Sequence, residues 1–177
     1  MKYQRAILLL ALCGVVTACD MPDFNFSSKH GKISLTGNML TLHADGGPDA
    51  ALASSGDFSV NGKPVSITAP QRGLLMLYYQ DVLDIRAQSV GMGKAGAAAG
   101  LKAIKNKMDG SSSPEAKKQI DADVTAQIHQ LAVKMCQDQV NLKTVQDQLV
   151  AQLPDFKPYG NLFSYSSVDE CVKSDED

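Results

Sequence analysis

From residue 33 to residue 42 apolar side chains fall on alternate positions about a central Gly37-Asn38 pair. Ile33-Ser34-Leu35-Thr36 and Met39-Leu40-Thr41-Leu42 read as two strands joined by a two-residue turn that tolerates positive φ. Folding about that turn sets Leu35 opposite Leu40 and Ile33 opposite Leu42. One face then carries four aliphatic side chains, and Ser34 and Thr41 take the other. Asn61-Gly62 marks a second hairpin, with Phe58 opposite Val65 and with Val60 and Ile67 on the same face. Pro64 cannot donate to a strand ladder, so its strand belongs at an edge. Asp45-Gly46-Gly47-Pro48 reads as a loop and Ala50–Ala53 as a short strand. The spacing predicts four or five antiparallel strands, in hairpins over about residues 32–68, with one apolar face in need of a cover.

After Pro70 the period changes from two to that of a helix. Pro70 suits a first turn, with Thr68 or Ala69 near the cap. Leu74, Leu77, Tyr78, Asp81, Val82, Ile85 and Ser89 follow at helical spacing. The pattern enters Gly91–Gly100, where four glycines each cost about 1 kcal/mol relative to alanine in a helix. The Gly96–Gly100 spacing resembles the close-packing motif of membrane helices. Within one domain it predicts a tight helix contact at Gly96 and Gly100, with an exposed membrane-active segment as the alternative.

Asp109–Ser113 reads as a turn, and Ser113-Pro114-Glu115 as the start of a second helix. Its stripe runs through Ile120, Val124, Ile128, Leu131, Met135, Leu142, Val145 and Leu149, with one seven-residue step that skips Asp138. Pro154 stops it. About 40 residues at about 1.5 Å each make a helix about 60 Å long. The fold class is therefore α+β: a small antiparallel meander, then a long antiparallel helical hairpin over about residues 70–153. A coiled-coil dimer seam is the alternative use of the second stripe. The aromatic segment with Phe156, Tyr159, Phe163 and Tyr165 is expected to pack along the helices.

The N-terminus has a different pattern. Lys2 and Arg5 precede the apolar run Ala6–Leu12, and small residues lead to Cys19. That is the layout of a secretory signal, too short to span a bilayer as a permanent helix. Val16-Thr17-Ala18-Cys19 resembles the lipobox of bacterial lipoproteins, which implies cleavage before Cys19, diacylglycerol on its sulfur and acylation of its amine. The alternative is an ordinary signal peptide with a chance cysteine. Asp20 resembles the inner-membrane retention signal of enteric bacteria, the outer membrane being the other destination. The expected organisation is a signal over residues 1–18, the lipidated cysteine and tether over 19–31, and one periplasmic domain over 32–177. In the tether, Phe24 and Phe26 alternate with polar residues, which a flexible linker does not require.

Processing leaves 15 basic residues against 19 acidic ones, a formal net charge near −4. That balance, with no basic cluster, argues against a nucleic-acid partner. Cys136 and Cys171 are the two cysteines that remain after Cys13 and Cys19 are accounted for. In an oxidising compartment they are expected to form a disulfide; a free thiol pair or a metal site are the alternatives. No cofactor, metal or catalytic motif is read from the chain. His30, His43 and His129 share no telling spacing with an acid or nucleophile, and Asp81/Asp84 and Asp121/Asp123 read as solvated helix faces.

The run Gly56-Asp57-Phe58-Ser59-Val60-Asn61-Gly62-Lys63-Pro64-Val65, then Thr68, Gln71-Arg72, Leu74-Leu75 and Tyr78-Tyr79, resembles the YggN-like family of proteobacterial envelope proteins. The resemblance covers roughly residues 32–105 and implies an envelope location and a helical second half. It transfers no activity and no site residue. The expected function is that of a lipid-anchored periplasmic protein, not an enzyme, acting on a periplasmic protein partner. The alternative is an immunity or inhibitor lipoprotein that neutralises a toxin or lytic enzyme.

Overall fold

The computed structural model describes residues 23–110 and 113–164. Cys19, Cys171 and the tail from Tyr165 lie outside the described residues. Six strands form one antiparallel meander in sequence order: β1 (Phe24–Ser28), β2 (Gly31–Thr36), β3 (Met39–Ala44), β4 (Asp49–Ala53), β5 (Phe58–Val60) and β6 (Lys63–Pro64). Helix α1 spans Ala69–Met108 and α2 spans Pro114–Gln152; a 3-10 turn follows over Pro154–Tyr159.

The hairpin registers follow from the alternation. Ile33 pairs with Leu42, Leu35 with Leu40 and Ser34 with Thr41. The four aliphatic residues are buried on one face. Asn61 and Gly62 have φ of 49° and 73°, the left-handed pair that a tight hairpin turn needs. The Val65 amide donates to the Phe58 carbonyl at 2.9 Å, which fixes the expected pairing. Pro64 sits in the edge strand β6.

The sheet has one strand more than the spacing predicts, and the tether is shorter. Phe24–Ser28 is strand β1, paired with β2 so that Phe24 faces Leu35 and Phe26 faces Ile33. Two aromatic side chains on alternate positions extend the apolar face, and Phe26 stacks on Phe163 with ring centroids 4.4 Å apart. Burial of those rings is what a linker would forgo.

Thr68 caps α1. Its backbone amide donates to the Gln71 side chain at 2.8 Å and its hydroxyl accepts from the Gln71 amide, a reciprocal capping box. Gly91–Gly100 does not break this helix, which runs 40 residues. The cover of the sheet has two parts. Leu75, Tyr78, Val82 and Ile85 of α1 join Leu142 and Leu149 of α2 in the core. The aromatic turn packs between sheet and helices rather than along the outside. Phe156 lies 5.8 Å from Phe58 and 5.4 Å from Tyr78, and the Tyr159 hydroxyl donates to the Pro48 carbonyl at 2.8 Å. Gln146, fully buried, holds this turn in place. Its amide group donates to the carbonyls of Gly160 (2.6 Å) and Phe163 (2.9 Å), and its oxygen accepts from the Phe163 amide (3.1 Å).

The core takes α1 residues up to Ile85 and α2 residues from Leu142. Beyond them the helices continue as a two-helix arm. For α1 that is about 23 further residues, or about 35 Å at about 1.5 Å each. The sheet and aromatic turn form the body from which the arm extends.

Candidate functional site

Two places on the hairpin carry groups that the fold itself does not require. The first lies where the arm leaves the body. Asp81 and Asp84 of α1 meet Asp138 of α2, and one carboxylate oxygen of Asp81 and one of Asp138 are buried without a hydrogen-bond donor. Burial, then the Asp138 and Asp84 charges, push the Asp81 carboxyl up to about 6. Burial also raises Asp138, with Asp84 adding to it, while Lys134 at 3.9 Å and a hydrogen bond from Gln88 pull it down. The Tyr78 hydroxyl is buried beside this cluster and has no partner. Burial, reinforced by the Asp81 charge, raises its phenol above the ordinary value. The expectation of a solvated face therefore fails for Asp81: it sits half-buried in the apolar stripe of α1 and feels the charge of Asp138, which fills the break in the stripe of α2.

Among the described residues, no group of three or more His, Cys, Asp or Glu side chains is arranged to hold a metal ion. His43 lies elsewhere, in an exposed pair with Asp49 at 2.5 Å across β3 and β4. His30 and His129 are exposed. Asp57 is held below the usual carboxylate range by hydrogen bonds from Arg72, at 2.6 Å, and Ser55, which ties the sheet to the first turn of α1. These are fold contacts.

The second place is the arm itself. Its seam sets small residues of α1 beside larger ones of α2 and is left open in clefts. One of about 320 Å³ lies near the tip between Ala103, Asn106, Lys117 and Ile120. One of about 200 Å³ lies between Ala95, Ala99, Val124 and Gln127. One of about 580 Å³ lies between Gly91, Ala98, Gln130 and Leu131. The tight contact in this region is at Gly91, where a Cβ would stand 3.2 Å from Leu131 Cδ1. The expectation that Gly96 and Gly100 mark a close contact is corrected here: nothing lies within 4 Å of a Cβ built on either. Their helix face is open.

On that open side the large apolar residues of α1 point outward. Leu101, Ile104 and Met108 are 69%, 58% and 82% exposed. The arm of α1 thus half-buries Ala95 and Ala99 against α2 and shows its aliphatic side chains to solvent, the reverse of an ordinary surface helix. Sequence spacing alone did not single these residues out, because Leu101, Ile104 and Met108 at i, i+3 and i+7 resemble a buried stripe. The signal that could have found them is the row Ala95, Ala99, Ala103, which competes for the same contact.

Cys136 of α2 is buried. Cys19 and Cys171 fall outside the described residues, so the lipidation site and the pairing of Cys136 stand as sequence readings. Among the described residues no helix is long and apolar enough to cross a membrane. No protein-family model, no curated protein and no solved structure matches this chain.

Proposed function

We propose that this chain is a lipid-anchored protein of the bacterial periplasm that acts through protein–protein interaction, with Cys19 as its anchor and the α1–α2 arm as its binding element. The observation that carries the reading is the open seam of the arm. Its clefts of about 320, 200 and 580 Å³ follow one another along the two helices, with Ala95, Ala98, Ala99 and Ala103 of α1 among their lining. Protein interiors are close-packed, so clefts of this size in a row along a hairpin are space for side chains from another chain. The body's role is to hold the arm out: the capping box, the aromatic turn and Gln146 fix its base. No reaction is assigned to the carboxylates at the base of the arm.

The anchor half of the proposal rests on Val16-Thr17-Ala18-Cys19 and on the likeness to envelope proteins over residues 32–105. The binding half is tested by placing a photo-reactive side chain at Ala98 or Lys117, which line the clefts, in the native lipidated chain within its own envelope. The expected result is one discrete protein adduct from both positions and none from Lys63 on the edge of the sheet. Adducts from Lys63 alone, or from none of the three, reject the arm as the binding element.

A further inference from the structure

The outward ridge of α1 has a chemistry of its own. Ala95, Ala99 and Asn106 are half-buried against α2. Ala97, Leu101 and Met108 each follow one of them by two positions, about 200° round the helix, and Ile104 joins the same face. The ridge therefore lies opposite the seam, and none of these four residues lines the clefts described above. Lys94, Lys105 and Lys107 flank it on the helix wheel, while Lys102 lies towards the seam, where it lines a cleft, as Lys94 and Lys107 also do. These four lysines occur with no carboxylate between Asp84 and Asp109. Over residues 94–134 seven lysines stand against four acids, in a chain that is negative as a whole.

We propose that this ridge is a membrane-docking surface, which lays residues 94–108 of α1 on an anionic phospholipid bilayer with Leu101, Ile104 and Met108 in the headgroup–acyl boundary. Three large apolar side chains within two turns, flanked by ammonium groups on flexible stems, suit a planar interface: the rings of charge stay at the headgroups while the stems lie along the apolar layer. The ridge is convex and lies on one helix, so it offers no groove for a partner helix. A second copy is disfavoured by charge. In a heptad frame with Leu101, Ile104 and Met108 at the core positions, Lys105 and Lys107 take both flanking positions, and a self-pair sets lysine against lysine. The nearby presence of a bilayer rests on the lipid-anchor reading; the chemistry of the ridge does not.

The test uses the chain beginning at Asp20, without lipid, because the core described above lies wholly within residues 23–164. Vesicles of phosphatidylcholine, with and without phosphatidylglycerol, are sedimented with it. The chain is expected to partition onto the phosphatidylglycerol vesicles at low salt and to be released as salt rises. Leu101→Ser with Ile104→Ser should lower the partition coefficient by about tenfold or more. Replacing Lys94, Lys102, Lys105 and Lys107 with Gln should lower it by about a hundredfold. Met39→Ser, at an exposed apolar position on β3, should leave it unchanged. All the altered side chains are exposed, so the helical circular dichroism should be kept. No partition onto anionic vesicles overturns the proposal, as does partition that survives the ridge substitutions. A dimer that Leu101→Ser dissolves assigns the ridge to a second copy and also overturns it. Because the assay lacks the lipid, loss of membrane association by Cys19→Ser in cells bears on the anchor and leaves the ridge result standing.

Discussion

The Asp138 charge on α2 reaches Asp81 on α1 across the seam, and each residue keeps one carboxylate oxygen buried with no donor. Two like charges in a half-dry seam oppose the packing of the two helices where the arm joins the body. The hairpin tolerates this because Lys134 and Gln88 offset the Asp138 charge, and Tyr78, Val82 and Ile85 bury apolar surface around it. The cluster is thus a place where stability depends on protonation.

The sign follows from the Asp81 value. Its folded pKa of about 6 stands above its ordinary value of 3.8, so the folded chain holds a proton that the unfolded chain has lost between those limits. Stability should rise as pH falls from 7 towards 5. The gain should be about 1–2 kcal/mol, reduced from the full shift because Asp81 is only half-buried and solvent screens it. Below pH about 4 the trend should reverse as Asp57, held low by Arg72, takes up its proton. Asp81→Asn should raise the melting temperature at pH 7 and flatten the rise between pH 7 and 5. Melts of the mutant that still climb over that range would place the titration elsewhere.

The glycines of α1 separate into two kinds. At Gly91 a larger side chain meets Leu131, so Gly91→Leu should cost about 1–3 kcal/mol by overpacking. At Gly96 and Gly100 a new Cβ meets nothing. Each Gly→Ala change there should add up to about 1 kcal/mol through helix propensity alone. Thermal melts of the three variants separate the cases. A lower melting temperature for Gly96→Ala would restore the close-contact reading that the spacing suggested.

Membrane attachment through Cys19 is open to a direct measurement. Cys19→Ser should release the protein from the membrane fraction or leave the signal uncleaved, as read by fractionation and by the size of the product. A Cys19→Ser chain of full mature size that still sediments with membranes rejects the lipobox assignment.

Most of the fold could be read from residue order because its signals are local. Gly37-Asn38 and Asn61-Gly62 fix two registers through turn geometry, and Thr68-Ala69-Pro70-Gln71 starts α1 through its own capping box. Strand β1 was harder to see, since Phe24 and Phe26 become strand residues only when Leu35, Ile33 and Phe163 lie beside them. The carboxylate pair left a trace in both stripes: Asp81 occupies an apolar position in one, and Asp138 fills the seven-residue step in the other. What could not be read was that these two irregularities meet, because spacing along one helix carries no register between two. The ridge was hidden for a related reason. Period alone does not say which of two apolar stripes on a helix a partner will cover.

Gln146 shows how much the body depends on one buried polar group. It satisfies three backbone groups of the aromatic turn from a fully buried position. Gln146→Leu has a similar volume but leaves the Gly160 and Phe163 carbonyls and the Phe163 amide without partners. The cost should be about 2–4 kcal/mol. Urea titration should show this as a lower midpoint. A change under about 0.5 kcal/mol would mean that water reaches those groups freely.

The same turn leads the chain towards its second cysteine. Gln146 grips Gly160 and Phe163 against α2, ten residues beyond the buried Cys136 on that helix. Cys171 follows Phe163 by eight residues, enough chain to turn back along α2. A Cys136–Cys171 bridge would close a loop of about 35 residues and restrict the unfolded chain, which should stabilise the domain by about 3–4 kcal/mol. Thiol labelling of the denatured, unreduced protein should then find neither cysteine reactive, and reduction should lower the melting temperature. Cys171→Ser should reproduce the effect of reduction and make added reductant inconsequential. Labelling of both residues in the unreduced protein would reject the bridge. The segment up to Phe163 would still be held by Gln146, the Phe26–Phe163 stack and the burial of Leu162, and Gln146→Leu should loosen it.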